Sequence, residues 1–446
     1  MKQPRGKSIL LEQVEQHGAI RFSAIVVAIG LAVTLHIAVV SSILTQPITV
    51  EARSVVAPLY HDALYRLGPG ADLFAVYRAG NHRNHGYPAN ASFTVPGDPP
   101  YAFIYRYGAL VADTVGRVLA LVHPKLAFIG WGLLLETALF AFLSVFVASV
   151  VDSRTRLHGS LLLILSTPYF LEVHMGQFTF LTSVIACVAL LLYERSQRPA
   201  ARRAASLLLA SSMILKFFPF STLPALLKHR TALLVSLGTL LAIILFNVVS
   251  MRQNPLQEGF LSANLTVFNT ALQTGNFGFF YTMTSVGIEW GKVWSREELR
   301  ALCYAWQFVV LGGVAVLAFR APADRMVLGA STLMAAFFVV YQDVWEHHYS
   351  GIIPLGLLIL RGLAREPHVS PIAWVAGWVA LVLIALPTPF AVFDSGDPTW
   401  GNWPSYQRWL LPLSKSGPLI VLVLAGVHAL FNSRRDRSFE LGFQKA

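Results

Sequence analysis

Leu126–Val151 reads LAFIGWGLLLETALFAFLSVFVASVV, a run whose single ionisable residue is Glu136. A helix needs about 20 apolar residues to cross a hydrocarbon core of roughly 30 Å, and this run exceeds that. It is apolar on every face, whereas a helix on the surface of a soluble domain is apolar along one stripe. The stretch is therefore expected to lie in lipid. Similar runs follow at Leu157–Val173 and Gln177–Tyr193, then Thr231–Ser250, Leu302–Phe319, Met326–Val340, Tyr349–Leu360, Ile372–Phe390 and Gly417–Phe431. Upstream, Phe22–Leu44 follows a tail bearing Lys2, Arg5, Lys7 and Arg21, and reads as a retained signal anchor. Ala204–Leu227 is apolar but holds Lys216, Pro219 and Pro224, with RPAARR before it and KHR after it. Basic groups on both sides of an interrupted run predict two short half-helices that enter and return, with Lys216 near the turn.

The pattern predicts an all-α polytopic membrane protein with about 10–12 transmembrane helices. Composition agrees. The 446 residues are 55% hydrophobic and 13% charged, with a mean hydropathy of +0.58. A soluble chain could not bury that much apolar surface. The net charge of +11 does not point to nucleic acid, because no basic domain with interleaved aromatics is present. Cys187 and Cys303 each lie in an apolar run and offer neither a disulfide framework nor a metal-ligand pair.

Charge fixes the expected orientation. With both tails and alternate short loops on one side, that side holds 20 Lys/Arg against 8 Asp/Glu, whereas the long stretches opposite, counted over 45–100, 251–301 and 392–415, hold 10 of each. The positive-inside rule puts the basic side in the cytoplasm. Residues 1–21 and 433–446 are then cytoplasmic tails around one membrane domain, 22–432. Its outer loops are at about 45–125, 251–301 and 392–415. The first is rich in tyrosine, and its segment from Tyr101 to Val122, which carries Arg106, Asp113 and Arg117, predicts an amphipathic helix on the outer face. Ser295 and Glu298 have the spacing of a capping box opening the next span.

Ionisable residues at membrane depth cost about 2.5–3.5 kcal/mol each on insertion scales, so each needs compensation. Glu172, His174, Asp343, Glu346, His347 and His348 fall at the outward ends of predicted helices, with Gln177 among them, and Lys216 falls at the helix break. Glu136 has the simpler expectation of a bond to a neighbouring helix. Asp72, directly before LFAVY, is open to two readings, a helix N-cap or a functional carboxylate. His347 and His348 are adjacent rather than spaced by three or four, which disfavours a helical two-histidine metal site.

GADLFAVYRAG (70–80), PYAFIYRYGAL (100–110), GQF (176–178), LKFFPF (215–220) and WEHHY (345–349) occur in that order. In order and spacing the chain resembles glycosyltransferase family 87, from about Asp72 to Ile359. That family has the C-type fold of membrane glycosyltransferases that use polyprenyl-phosphate sugars. The resemblance implies a long outward first loop bearing juxtamembrane helices. It also implies that Asp72 is the general base. Tyr77 lies five residues beyond Asp72 where the family pattern has four, which leaves Asp62 as an alternative base. Tyr105, Arg106 and Tyr107 resemble the family's aromatic–arginine–tyrosine–proline element without its proline. Arg106, Lys216, His347, His348, Gln177 and Tyr77 are implied to bind the donor.

The implied reaction moves a sugar, mannose or similar, from the lipid phosphate to a glycolipid or cell-envelope glycan, with inversion at the anomeric carbon. Such chemistry asks for a base, cations opposite the phosphate and an apolar groove for the polyprenyl tail. No Gly-rich phosphate loop is present to hold a nucleotide sugar, no cofactor is expected and no residue is assigned as a metal ligand, which leaves a divalent-metal requirement open. The alternative is a transporter or flippase of lipid-linked sugars, which also uses broken helices. Against it, the hydropathy pattern shows no internal repeat and the polar groups gather at one face.

Overall fold

The structure, a computed structural model, describes residues 9–49, 68–102, 105, 107–253, 277–366, 370–388 and 405–443. All regular structure among them is helical. In chain order the main helices are α1 Ile9–Thr45, α2 Ala71–Asn84, α3 Pro124–Ser149, α4 Ser153–Ile164, α5 Thr167–Met175, α6 Thr179–Arg195 and α7 Pro199–Leu215. They continue with α8 Arg230–Gln253, α9 Phe279–Glu289, α10 Arg296–Arg320, α11 Met326–Val340, α12 Tyr349–Leu363, α13 Pro371–Ala385 and α14 Ser405–Phe443. Among the described residues six helices can cross a membrane by length and composition: Ser23–Thr45, Pro124–Ser149, Arg230–Ser250, Glu297–Arg320, Ala323–Val340 and Pro412–Ser433. The chain is an all-α multi-pass membrane protein. The pair Ser153–Met175 and Thr179–Arg195, bent by 117°, also passes that test when taken together.

Contacts between helix ends sort the bundle into two ends. At one, here the upper, Lys125 Nζ donates to Leu44 O at 2.6 Å and Gly70 N to His174 O at 2.6 Å. Also there, Ala109 N donates to Asn247 Oδ1 at 3.1 Å and Phe277 N to Val344 O at 2.6 Å. At the lower end Arg361 meets Glu194 and the Ser149 carbonyl, and Lys228 Nζ donates to Ala321 O at 2.5 Å. Most helices run between these ends. Helix α12 is only 15 residues long, but every one of them is buried, so protein rather than lipid surrounds it.

Lys216 marks the predicted break, with one difference in length. Helix α7 ends at Leu215, and the return consists of two short turns, Phe218–Thr222 and Leu223–Leu226, instead of a second half-helix. His229 then packs on Tyr193, ring centroids 5.5 Å apart, and Arg202 lies over the same Tyr193 ring. The chain thus returns to the lower end where α7 began. Pro219 and Pro224 shorten the return, because a proline cannot donate a backbone hydrogen bond inside a helix.

The first loop folds differently from the sequence expectation. Residues 101, 102, 105 and 107 are not helical; the helix begins at Ala109, passes through a π turn at Ala112–Gly116 and ends at Leu119. Tyrosine side chains hold the preceding segment: Tyr101 OH donates to Pro69 O and Tyr105 OH to Gly108 O, both at 2.6 Å. The π turn crosses α2 so closely that a Cβ on Gly80 would lie 1.9 Å from the Gly116 carbonyl carbon. The loop is riveted by Asp98, which accepts from Asn81 Nδ2 and Val95 N, each at 2.9 Å, and pairs with His82 Nε2 at 3.0 Å. Burial alone would raise the Asp98 carboxyl, but the bonds from Asn81, Val95 and His82 outweigh it and hold it below the usual range. Ser295 and Glu298 form the expected reciprocal cap of α10.

Candidate functional site

Gly176 places the central residue. It sits at φ +69° between α5 and α6, and a Cβ there would meet Leu73 Cβ at 2.6 Å. Only glycine takes this conformation freely at so close an approach. The turn sets Gln177 against the first turn of α2, where Gly70 occupies the cap position and Asp72 lies one residue inside the helix. Asp72 is thus not the N-cap. A carboxylate in a first helical turn is favoured by the helix dipole.

Gln177 Nε2 donates to Asp72 Oδ2 at 2.5 Å. Its Oε1 accepts from Lys216 Nζ at 3.1 Å, Tyr107 OH at 3.1 Å and Phe178 N at 3.3 Å. Lys216 Nζ also donates to Thr179 Oγ1 at 2.7 Å and lies 6.0 Å from the Tyr107 ring centre. The break after α7 delivers that ammonium, because the chain leaves helical geometry at Lys216. Glu172, fully buried, accepts from Phe180 N at 2.8 Å and Ser350 Oγ at 2.9 Å. Lys216 interacts electrostatically with Glu172, Asp72 and Asp343.

The His347–His348 turn faces the same cation. The rings are 4.4 Å apart, and His348 Nδ1 accepts the Trp345 amide at 2.9 Å, which makes His348 partly a capping residue. Both ring nitrogens of His347 are buried without a partner among the described residues. Burial and the neighbouring Lys216 charge push His347 well below the usual histidine range; for His348, burial acts with His347 and Lys216. Both rings are neutral at pH 7, so each carries one N–H donor and one acceptor nitrogen. Glu346 anchors the turn from behind, accepting from Thr388 N at 3.0 Å and from Thr388 Oγ1 at 2.5 Å.

Asp72, Gln177, Lys216, His347 and His348 therefore share the upper end, and Tyr107, Glu172 and Asp343 join them. Tyr77 lies further along α2 at the same end, but its hydroxyl donates to Val122 O at 2.8 Å instead of to one of these groups. Arg106 and Asp62 lie outside the described residues. Glu136 makes the interhelical bonds expected of it, to His36 Nε2 at 2.9 Å and from Tyr169 OH at 2.7 Å. Among the described residues no group of three or more His, Cys, Asp or Glu side chains is placed to hold a metal ion. Taken as whole residues, Asp72 and Lys216 are partly exposed, while Gln177 between them is buried. No protein-family model matches the chain, and no curated protein sequence matches it.

Proposed function

We propose that the chain is a membrane glycosyltransferase of the C-type architecture, with 10–12 crossings once the shorter helices are counted. It transfers a sugar such as mannose from a polyprenyl-phosphate donor to a glycolipid or cell-envelope glycan. The observation that carries this reading is a carboxylate and an ammonium bridged by one buried amide, beside a buried neutral histidine whose ring nitrogens have no partner among the described residues. The acceptor hydroxyl attacks the anomeric carbon from the face opposite the phosphate. Its proton passes to Asp72 as the new C–O bond forms. The bond from the anomeric carbon to the phosphate oxygen breaks, and polyprenyl phosphate leaves with the electron pair. Lys216 and Arg106 offset the charge on that phosphate, and His347 and His348 offer it N–H donors. Direct displacement inverts the anomeric centre. Tyr77 and Gln177 have their polar atoms engaged by the protein, so the donor set is narrower than the sequence resemblance implies.

The test is Asp72→Asn. General-base contributions are about 10²–10⁴-fold in rate, so transfer should fall by that factor while donor binding persists. Asn keeps the size and accepts the Gln177 hydrogen bond but takes no proton. The same exchange at Asp62 is the control; loss there alone moves the base to Asp62. Wild-type rates in both variants would eliminate a carboxylate base. The upper end is proposed to face outward, because the lower end carries the basic loops. An impermeant thiol reagent added to intact cells should therefore label a cysteine at Ser92, which is exposed, and leave one at Ala200 untouched. The reverse pattern would invert the protein.

A further inference from the structure

The orientation of the Gln177 amide is decided by its neighbours. Amide O and N are interchangeable by shape, so the hydrogen-bond network assigns them. An ammonium and a backbone N–H can only donate. Lys216 Nζ and Phe178 N both point at one atom of the amide, and that atom must be the oxygen. The NH₂ group then faces Asp72 Oδ2, which must accept. One planar group thus presents a donor to the anion and an acceptor to the cation.

We infer that Gln177 is a positioning residue whose amide separates the Asp72 carboxylate from the Lys216 ammonium, so that neither charge neutralises the other. This rests on the function proposed above, in which the two groups act on different ends of the reaction. A direct Asp72–Lys216 pair would lower the basicity of the carboxylate and hold the ammonium away from a phosphate. The amide stabilises the carboxylate by one hydrogen bond and leaves its proton affinity to the wider surroundings. Among the described residues those surroundings include Lys216 on the segment after α7, Glu172 on α5 and Tyr107 before the first-loop helix. Beyond Lys216 stand Asp343, His347 and His348. His174, whose carbonyl takes the Gly70 amide, lies next to the α2 terminus.

Two measurements on the purified full-length protein test this. In Gln177→Glu a carboxylate replaces the spacer, so Asp72 faces a like charge and Lys216 gains an ion-pair partner. The Asp72 carboxylic band, identified in pH-titrated infrared difference spectra as the one lost in Asp72→Asn, should move its midpoint up by about one pH unit or more. An unmoved midpoint in the folded variant overturns the inference. In Gln177→Asn the shorter amide cannot span both partners. The expected result is a fall in kcat of about tenfold or more with the donor KM within about twofold of wild type. A raised donor KM with unchanged kcat would make Gln177 a donor ligand instead. If Gln177→Glu does not fold, the Asn variant decides. If the wild-type protein turns over no donor, the function proposed above fails, while the infrared midpoint still decides the role of Gln177.

Discussion

Two ends of one bundle carry buried charge and treat it in opposite ways. At the lower end Arg361, 3% exposed, bonds Glu194, which Arg365 also reaches at 3.1 Å, and Arg361 Nε donates to Ser149 O at 3.3 Å. Each of these three charges has an opposite charge in contact. At the upper end Lys216 is hydrogen-bonded to neutral groups, Gln177 and Thr179, and an amide stands between it and Asp72. Charges that saturate one another join helices far apart in sequence. On the function proposed above, the two charges that an amide holds apart are the ones that act on a ligand.

The contrast can be broken from either side. Removing the lower pair by Arg361→Ala leaves a partly buried carboxylate short of its main partner. Breaking a buried pair costs about 3–5 kcal/mol, and Arg365 places the expected loss near the lower figure. Thermal unfolding in detergent should show it, with donor affinity per folded molecule unchanged; a stable protein that has lost donor binding would reverse the assignment of the two ends. Lys216→Ala should do the opposite. Donor binding is expected to weaken by about 1.5–3 kcal/mol, the worth of a hydrogen bond to a charged group. The unfolding temperature should hold, and Arg106→Ala should behave alike. Normal donor binding in both variants would shift the phosphate toward His347 and His348 alone.

Asp98 sharpens the rule, since it lies in the upper loop yet is saturated. Asp98→Ala should cost about 1–2 kcal/mol locally through the lost bonds to His82, Val95 N and Asn81, read as faster proteolysis of residues 78–98. Its folded carboxyl titrates below the unfolded one. The stabilisation is therefore complete above about pH 4 and is lost as pH falls through the lower folded value. A loop indifferent to pH between about 4 and 2 would remove Asp98 from this class.

Much of the upper end was legible before any coordinates. Asp72, Gln177, Lys216, His347 and His348 stood out because each breaks an apolar run, and lipid makes such breaks costly. The helix break at Lys216 followed from its prolines, and the Glu136 bond from its isolation. Partners separated in sequence were not legible. Arg361 and Glu194 are 167 residues apart, and Asp98 reaches back 16 residues to His82. Tyr77 shows the limit of a motif. At about 100° per helical residue, five positions place it some 140° around α2 from Asp72, facing Val122. The non-helical stretch before Ala109 was hidden for a similar reason, as the tyrosine hydroxyls that hold it bond to carbonyls the periodicity does not register.

The central claim is that the upper end transfers sugar, and the most direct measurement incubates the purified protein with a panel of polyprenyl-phosphate sugars and follows release of polyprenyl phosphate. The account predicts release from at least one donor, dependent on an acceptor and abolished in Asp72→Asn. Failure to release it from any donor, with lipid-linked sugar instead crossing the bilayer of proteoliposomes at the same rate in wild type and Asp72→Asn, would contradict the account and make the chain a transporter.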